Sequence, residues 1–154
     1  MADTLKSTCE QCIHLSQPRL EFIPQNLQRE REIIQRDLNE LVAAATLGHE
    51  KTVVILAGTL FESVLFLFIQ AQSTNIADRR GSFTFDPEHS LDNFVRIFNR
   101  WFGHLLILPD AIIDYRNIVH INHELQQPVD ICRGAAAEML RFLDALLASL
   151  PDYV

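Results

Sequence analysis

Residues 110–124 read D-A-I-I-D-Y-R-N-I-V-H-I-N-H-E, and two rows of helical spacing run through this stretch side by side. One row is apolar and is typical of a helix that packs one face into a core; it contains Leu108, Ala111, Ile112, Tyr115, Ile118 and Val119. The second row contains Ile113, Arg116, His120 and His123. At about 100° per residue, His120 lies about 40° from Arg116 and His123 lies about 20° from it on the other side. The stretch therefore predicts a helix with a buried face and, beside it, a fixed cation and two imidazoles, with Asn117 adjacent.

Length and composition predict one compact domain. The chain has 154 residues, of which 48 % are apolar, with ten Phe and five Gly, a composition that argues against disorder. The net charge of −7 argues against a non-specific nucleic-acid coat but leaves room for a local site for one phosphate. The N-terminal sequence M-A-D-T-L-K-S-T lacks an apolar signal region, and three cysteines do not make a disulfide framework. We therefore expect a cytoplasmic protein.

The first 24 residues differ from the rest of the chain. They show little periodicity and contain the breakers Pro18 and Pro24, so we expect a separate, mobile segment at residues 1–24 and the domain at residues 25–150. The segment carries C-E-Q-C at residues 9–12, followed by His14. Such a pair can be half of a zinc site or a redox motif, but no second pair of ligands follows it and no βαβ pattern surrounds it. We expect an incidental pair, no metal and no other cofactor, with metal or redox chemistry as the alternative.

The remaining chain predicts an all-α fold, an antiparallel helical bundle of four main helices with room for a short fifth at the N-terminus. Residues 25–47 have an apolar stripe and a charged outer face, and Gly48 is a plausible stop. A polar loop is expected at residues 73–85, and Asp86-Pro87 is expected to start a helix with an aromatic stripe that Gly103 ends. A last apolar stripe runs to Leu150. No segment shows apolar and polar residues alternating with a period of two, the pattern of a β-strand.

The most apolar segment is residues 49–72. A membrane span needs about 20 apolar residues and rarely carries a carboxylate at its centre, so Glu62 favours a buried central helix and no membrane. We expect four of its side chains to be buried: Ala57, Leu60, Val64 and Phe68. Gly58 would allow a close backbone approach. Glu62 is then either a satisfied core carboxylate or a group that lines a site.

The Arg116-Asn117 dipeptide, with His120 one turn later, resembles the signature of the HEPN domains, small all-α proteins of prokaryotic toxin and defence systems. A-G-T-L-F-E-S-V-L-F at residues 57–66 is similar to the A-G-S-L-L-E-A-L-L helix that precedes the signature in one branch. L-P-D-A-I-I-D-Y-R-N-I-V-H at residues 108–120 is similar to that branch's L-R-D-Y-R-N-L-I-H-P. Together these matches cover about residues 50–125.

The resemblance implies a bundle that dimerises with the motif helices facing each other. In active members the motif is R-x₄₋₆-H and the domain is a metal-independent endoribonuclease. Here Arg116 to His120 is R-x₃-H, and Arg116 to His123 is R-x₆-H. Ile121 stands where the related branch often has Pro, so the helix can continue to His123. No Tyr follows either His, which argues against the regulation found in nucleotidyltransferase-modified toxins.

Two interpretations stay open. In the first, the chain is an endoribonuclease in which Arg116 and His123 carry the chemistry, while His120 and Asn117 orient the phosphate or the second imidazole. Histidine can act as base or acid near neutral pH, and Arg offers a fork to phosphate oxygens, so no metal is needed. In the second, the chain is a non-catalytic interaction or RNA-binding module whose Arg116 and His120 bind Asp114 or Glu62 at an interface.

Both interpretations include the same partners. The second row of the helix is left over after the apolar row is buried, so we expect a homodimer interface that includes Ile113, Arg116 and His120. Two copies of the motif would then share one cleft, and base and acid could come from different chains. The resemblance to toxin and defence proteins adds RNA and a cognate antitoxin as further candidate partners.

Overall fold

A computed structural model of the chain describes residues 2–80, 84–118 and 131–150. Every regular element in these ranges is a helix, and the helices pack against each other. The all-α prediction is therefore confirmed for the described residues. The number of helices differs from the predicted four or five. The described residues form seven: α1 (Ala2–Gln11), α2 (Ile13–Ser16), α3 (Gln28–Thr46), α4 (Glu50–Arg80), α5 (Leu91–Phe102), α6 (Ala111–Ile118) and α7 (Ile131–Ser149).

Helix α3 ends where the sequence predicts. Gly48 has a φ of 77°, a left-handed conformation that glycine adopts without steric cost. Its N–H donates to the Ala45 carbonyl at 3.1 Å, and the His49 N–H donates to the Ala44 carbonyl at 2.9 Å. These two bonds form a Schellman motif, which satisfies the last carbonyls of α3. The chain then turns directly into α4.

Helix α4 is the centre of the fold and packs against α3, α5, α6 and α7. All four of the side chains predicted to be buried have no exposed surface: Ala57, Leu60, Val64 and Phe68. By length and composition alone, the segment Glu50–Ile76 could cross a membrane, but most of it is buried within the protein. A core helix of a soluble protein meets the same criteria.

Two boundaries differ from the prediction. The polar loop expected at residues 73–85 is wrong at its start, because α4 continues to Arg80. Ile76 is only 2 % exposed, so core packing stabilises a turn made of residues with low helix propensity. Helix α5 begins at Leu91 with Ser90 as its N-cap, and not after Asp86. Instead, the Asp86 carboxylate accepts the Glu88 N–H at 2.9 Å within a turn, an alternative use of an Asp-Pro pair.

The N-terminal segment, predicted to precede the domain up to residue 24, contributes two helices to the same core. Helices α1 and α2 pack against α3 and α7, and the buried residues of the segment belong to the same core. Those residues are Leu5, Thr8, Cys9, Cys12, Leu15, Leu20, Phe22 and Ile23. Asp144 of α7 accepts the backbone N–H of His14 at 2.9 Å, which ties the start of α2 to the last helix. The apolar stripe was missed because Thr and Cys occupy several of its positions.

The connection between α5 and α6 is held by one side chain. The Asn99 amide donates to the Leu108 carbonyl at 2.8 Å and accepts the Leu108 N–H at 2.7 Å. Leu108 is thereby fixed in the core just before α6 begins. The aromatic stripe of α5 is core as expected, with Phe98 tilted against Phe68 of α4 and Phe102 packed edge-to-face on it. Gly103 ends α5 as predicted.

Candidate functional site

The candidate site is built on α6, the described part of the motif stretch. Leu108 and Ile112 are buried, and Tyr115 is half-buried, so the predicted apolar row faces the core as far as it is described. Ile113, in the second row, is half-buried and packs against the edge of that core. Val119 and the side chain of Ile118 lie outside the described residues.

Arg116 binds Glu62 of α4. Its Nη2 lies 2.7 Å from Glu62 Oε1, and the two side chains are 40 % and 34 % exposed. The sequence had named Glu62 both as a group that lines a site and as a partner of Arg116. The structure combines these two expectations, because the pair lies at the surface between α4 and α6.

Gly58 explains how the Arg116 side chain reaches Glu62. A Cβ placed on Gly58 would lie 3.1 Å from Arg116 Cγ, closer than most Cβ contacts in proteins, and 3.5 Å from Arg116 Cβ, an ordinary van der Waals distance. The aliphatic stem of Arg116 therefore lies against the bare backbone of α4, one turn before Glu62. The close approach predicted at Gly58 is present, and its partner is a side chain.

The ion pair determines the electrostatics of this surface. Glu62 of α4 neutralises much of the charge on Arg116. Asp114, which lies on α6 with Arg116, adds a second carboxylate that is exposed. A phosphate at Arg116 would have to share the guanidinium with Glu62 or displace it. The described part of the site therefore does not present an isolated cation.

The remaining predicted residues fall into two groups. Asn117 is half-buried in the last turn of α6, adjacent to Arg116 in sequence. His120 and His123 lie in residues 119–130, outside the described residues. The described residues thus bring Arg116 and Glu62 together next to Asn117 and Ile113, and they do not test the two histidines.

Two features of the site were missed at the level of sequence. The Tyr115 hydroxyl donates to Glu138 Oε2 of α7 at 2.5 Å. This hydrogen bond, followed by burial and by the charges of Glu138 and Asp114, raises the pKa of Tyr115 to about 12. Glu62 also lines an open groove of about 390 Å³ between α3, α4 and the start of α5. Neither the hydrogen bond nor the groove could be predicted from local sequence patterns, because the residues that form each of them are far apart in sequence.

The cysteine pair lies in the core. Burial, followed by the charges of Asp144 and Cys9, raises the pKa of the Cys12 thiol to about 11, and burial also raises the pKa of Cys9. Buried, protonated thiols are poor metal ligands and poor nucleophiles. Within residues 2–80, 84–118 and 131–150, no three His, Cys, Asp or Glu side chains form a group that could hold a metal. The described surroundings favour the incidental interpretation of the pair.

Comparison of the chain with protein-family models, with curated proteins and with solved structures gives no match. The HEPN resemblance therefore stays a prediction that rests on the residues quoted for it.

Proposed function

We propose that this chain is a HEPN-like antiparallel bundle of a bacterial or archaeal toxin or defence system, and that it functions as a homodimeric, non-catalytic interaction module. The observation that carries this proposal is the Arg116–Glu62 ion pair, at 2.7 Å and half-exposed. The Arg of the motif is already bound by a carboxylate of its own chain, as expected of an interface hydrogen-bonding group.

The surface next to the pair supports self-association. Ile55 lies on the same side of α4 as Gly58 and is 44 % exposed, and Thr59 is exposed beside it. The Thr59 hydroxyl donates to the Ile55 carbonyl at 3.1 Å, so its polar group is satisfied within the helix. On α6, Ile113 lies one turn before Arg116 and is half-buried, so the described surface near the ion pair includes partly exposed apolar side chains on both helices. That composition suits an interface between two copies related by a two-fold axis.

A second function, metal-independent endoribonuclease activity, is favoured by one observation. The Arg116 side chain is 40 % exposed, so its guanidinium is accessible to a substrate even while it contacts Glu62. In that case Arg116 stabilises charge on the phosphorane and His123 transfers protons. His120 and Asn117 orient the phosphate, and Glu62 positions the guanidinium. RNA is then the substrate, and a cognate antitoxin protein is a candidate partner under either function.

One experiment separates the two functions. Purified wild type, Arg116→Ala and His123→Ala are each assayed for cleavage of total RNA in EDTA and for mass by sedimentation. Arg36→Ala is the matched control, because Arg36 is also an exposed helical Arg paired with a carboxylate, Asp37. For the interaction module, we expect no cleavage by any protein, a dimeric wild type, and a dimer weakened only by Arg116→Ala.

The nuclease gives a different pattern. Wild type would cleave RNA in EDTA and leave 2′,3′-cyclic phosphate ends, and either site variant would lower the rate by about 10²-fold or more. Arg36→Ala would cleave like wild type. A wild type that is monomeric at micromolar concentration would contradict both the module and a site composed from two chains.

A further inference from the structure

An open groove of about 390 Å³ lies between α3, α4 and the turn before α5, on the opposite side of Glu62 from α6 along the surface of α4. Its volume falls in the range of small-molecule sites. The apolar part of its wall comes from three helices and comprises Ile33, Ile34, Phe66, Leu67 and Phe94. Ile33 is 38 % exposed at the rim, so the groove opens to solvent with an apolar wall already uncovered.

The polar side chains of the groove are two carboxylates, an imidazole and the hydroxyl of Ser63, which donates to the Thr59 carbonyl. Glu30 of α3 and Glu62 of α4 line it, and Glu30 has no ion-pair partner within the described ranges. Among the residues that the structure describes, no lysine or arginine lines the groove itself. The groove therefore combines an apolar body with a negative rim, which is complementary to a ligand that carries a positive charge on an apolar skeleton.

His89 forms part of the groove wall. Its Nδ1 is buried and has no hydrogen-bond partner among the described residues, while its Nε2 lies 3.6 Å from Asp86 Oδ2. A buried nitrogen without a partner is rare in folded proteins. The imidazole also packs edge-on against Phe94, with 6.0 Å between ring centroids, so its position in the groove wall is defined.

We infer that this groove is a binding site for a small hydrophobic organic cation, an ammonium on an aromatic or branched alkyl body. The ammonium lies between Glu30 and Glu62, and the body lies on Phe66 and Phe94. Because Glu62 also binds Arg116, the ligand and Arg116 compete for one carboxylate. The groove is thereby coupled to the α6 surface, whichever function that surface has.

The test uses 3-phenylpropylammonium as probe, with 3-phenylpropanol and 3-phenylpropionate as its neutral and anionic analogues. Binding is followed by amide chemical shifts of the full chain. We expect the ammonium to bind with a Kd of about 1 mM, typical of a ligand this small. The alcohol should bind about fivefold more weakly, and the propionate should not bind.

Variants locate the site. Glu62→Gln and Glu30→Gln should each weaken ammonium binding about fivefold, since each removes one near-surface charge, while Glu40→Gln on the exposed face of α3 should not change it. Arg116→Ala should strengthen binding about two- to fivefold by removing the competing cation. Ser63→Phe should abolish binding, because Ser63 lines the groove and is not a core residue.

Two results would overturn the inference. One is an alcohol that binds as tightly as the ammonium, which would make the groove a non-selective apolar surface. The other is a Glu62→Gln variant that retains the native amide spectrum and the wild-type affinity. Neither depends on RNA cleavage or on the dimer, so the inference and the proposed function can fail separately.

Discussion

Arg116 of α6 and Glu62 of α4 are joined by an ion pair of 2.7 Å that passes over Gly58, where a Cβ would lie 3.1 Å from Arg116 Cγ. The three residues form one arrangement. Gly58 leaves room for the Arg116 side chain to cross α4, and the Glu62 carboxylate binds the guanidinium at the end of that side chain. The same pair lies between the two surfaces proposed here, the self-association face and the groove.

The ion pair should contribute little to stability. Its side chains are 40 % and 34 % exposed, so water screens the charges. In a double-mutant cycle of Arg116→Ala and Glu62→Gln, we expect a coupling free energy of about 0.5–1 kcal/mol by urea unfolding at a protein concentration that keeps the chain monomeric. A coupling above about 2 kcal/mol would show that the pair is a structural element of the monomer.

Gly58→Leu should destabilise the chain by about 1–3 kcal/mol, because the new side chain must displace the Arg116 stem or separate α4 from α6. Gly58→Ala is the matched control. Alanine has a higher helix propensity than glycine, which stabilises the helix by about 0.5–1 kcal/mol. Its Cβ also crowds Arg116, which can move away by a small shift. Because the two effects oppose each other, we expect the free energy of unfolding to change by less than about 0.5 kcal/mol. Urea unfolding of both variants measures the difference, and a stabilising leucine would contradict the packing described.

Tyr115 should be responsible for a loss of stability at alkaline pH. Its folded pKa, about 12, is higher than the ordinary value of 10.0, so the folded chain holds the phenolic proton more tightly than the unfolded chain. That contribution is complete below about pH 10 and is lost as the pH rises through about 12. Tyr115→Phe should flatten the unfolding free energy over this window and remove the late phase of the ultraviolet phenolate titration. If the late phase persists in the variant, the assignment to Tyr115 is wrong.

Asn99→Ala should cost about 1–3 kcal/mol, because the variant leaves both the N–H and the carbonyl of Leu108 without their side-chain partner. Asn39→Ala is the control, since Asn39 is exposed and accepts a hydrogen bond from the Gln35 side chain on α3, so the substitution should be nearly neutral. Thermal unfolding of the two variants compares them directly. Equal melting temperatures would show that the Asn99 bonds do not hold the connection between α5 and α6.

The thiols of Cys9 and Cys12 should react slowly in the native chain. Burial raises the pKa of both, for Cys12 to about 11, so the thiolate is scarce at neutral pH. In a Cys132→Ser background, we expect labelling by a disulfide reagent to be at least about 10²-fold slower in buffer than in denaturant. Rapid labelling in buffer would favour the redox interpretation of the pair.

Much of the fold follows from local pattern alone. Helical periodicity identifies α3, the centre of α4, the aromatic face of α5 and the core face of α7, because each buries a continuous stripe of large apolar side chains. Gly48 and Gly103 end their helices as predicted, since a stop depends on backbone preferences of a few neighbouring residues. The start of α5 was misplaced because Asp86 uses its carboxylate in a turn.

Sequence and tertiary structure together define the site. The sequence by itself singled out two candidate site residues, since Arg116 on an amphipathic helix and Glu62 within an apolar one stand out locally. Only the tertiary structure decided that they bind each other across Gly58, that Tyr115 binds Glu138, and that Glu30 and His89 line a groove with Glu62. The physical reason is that periodicity describes one helix at a time. These contacts join groups on different helices, and their geometry exists only once the helices have packed.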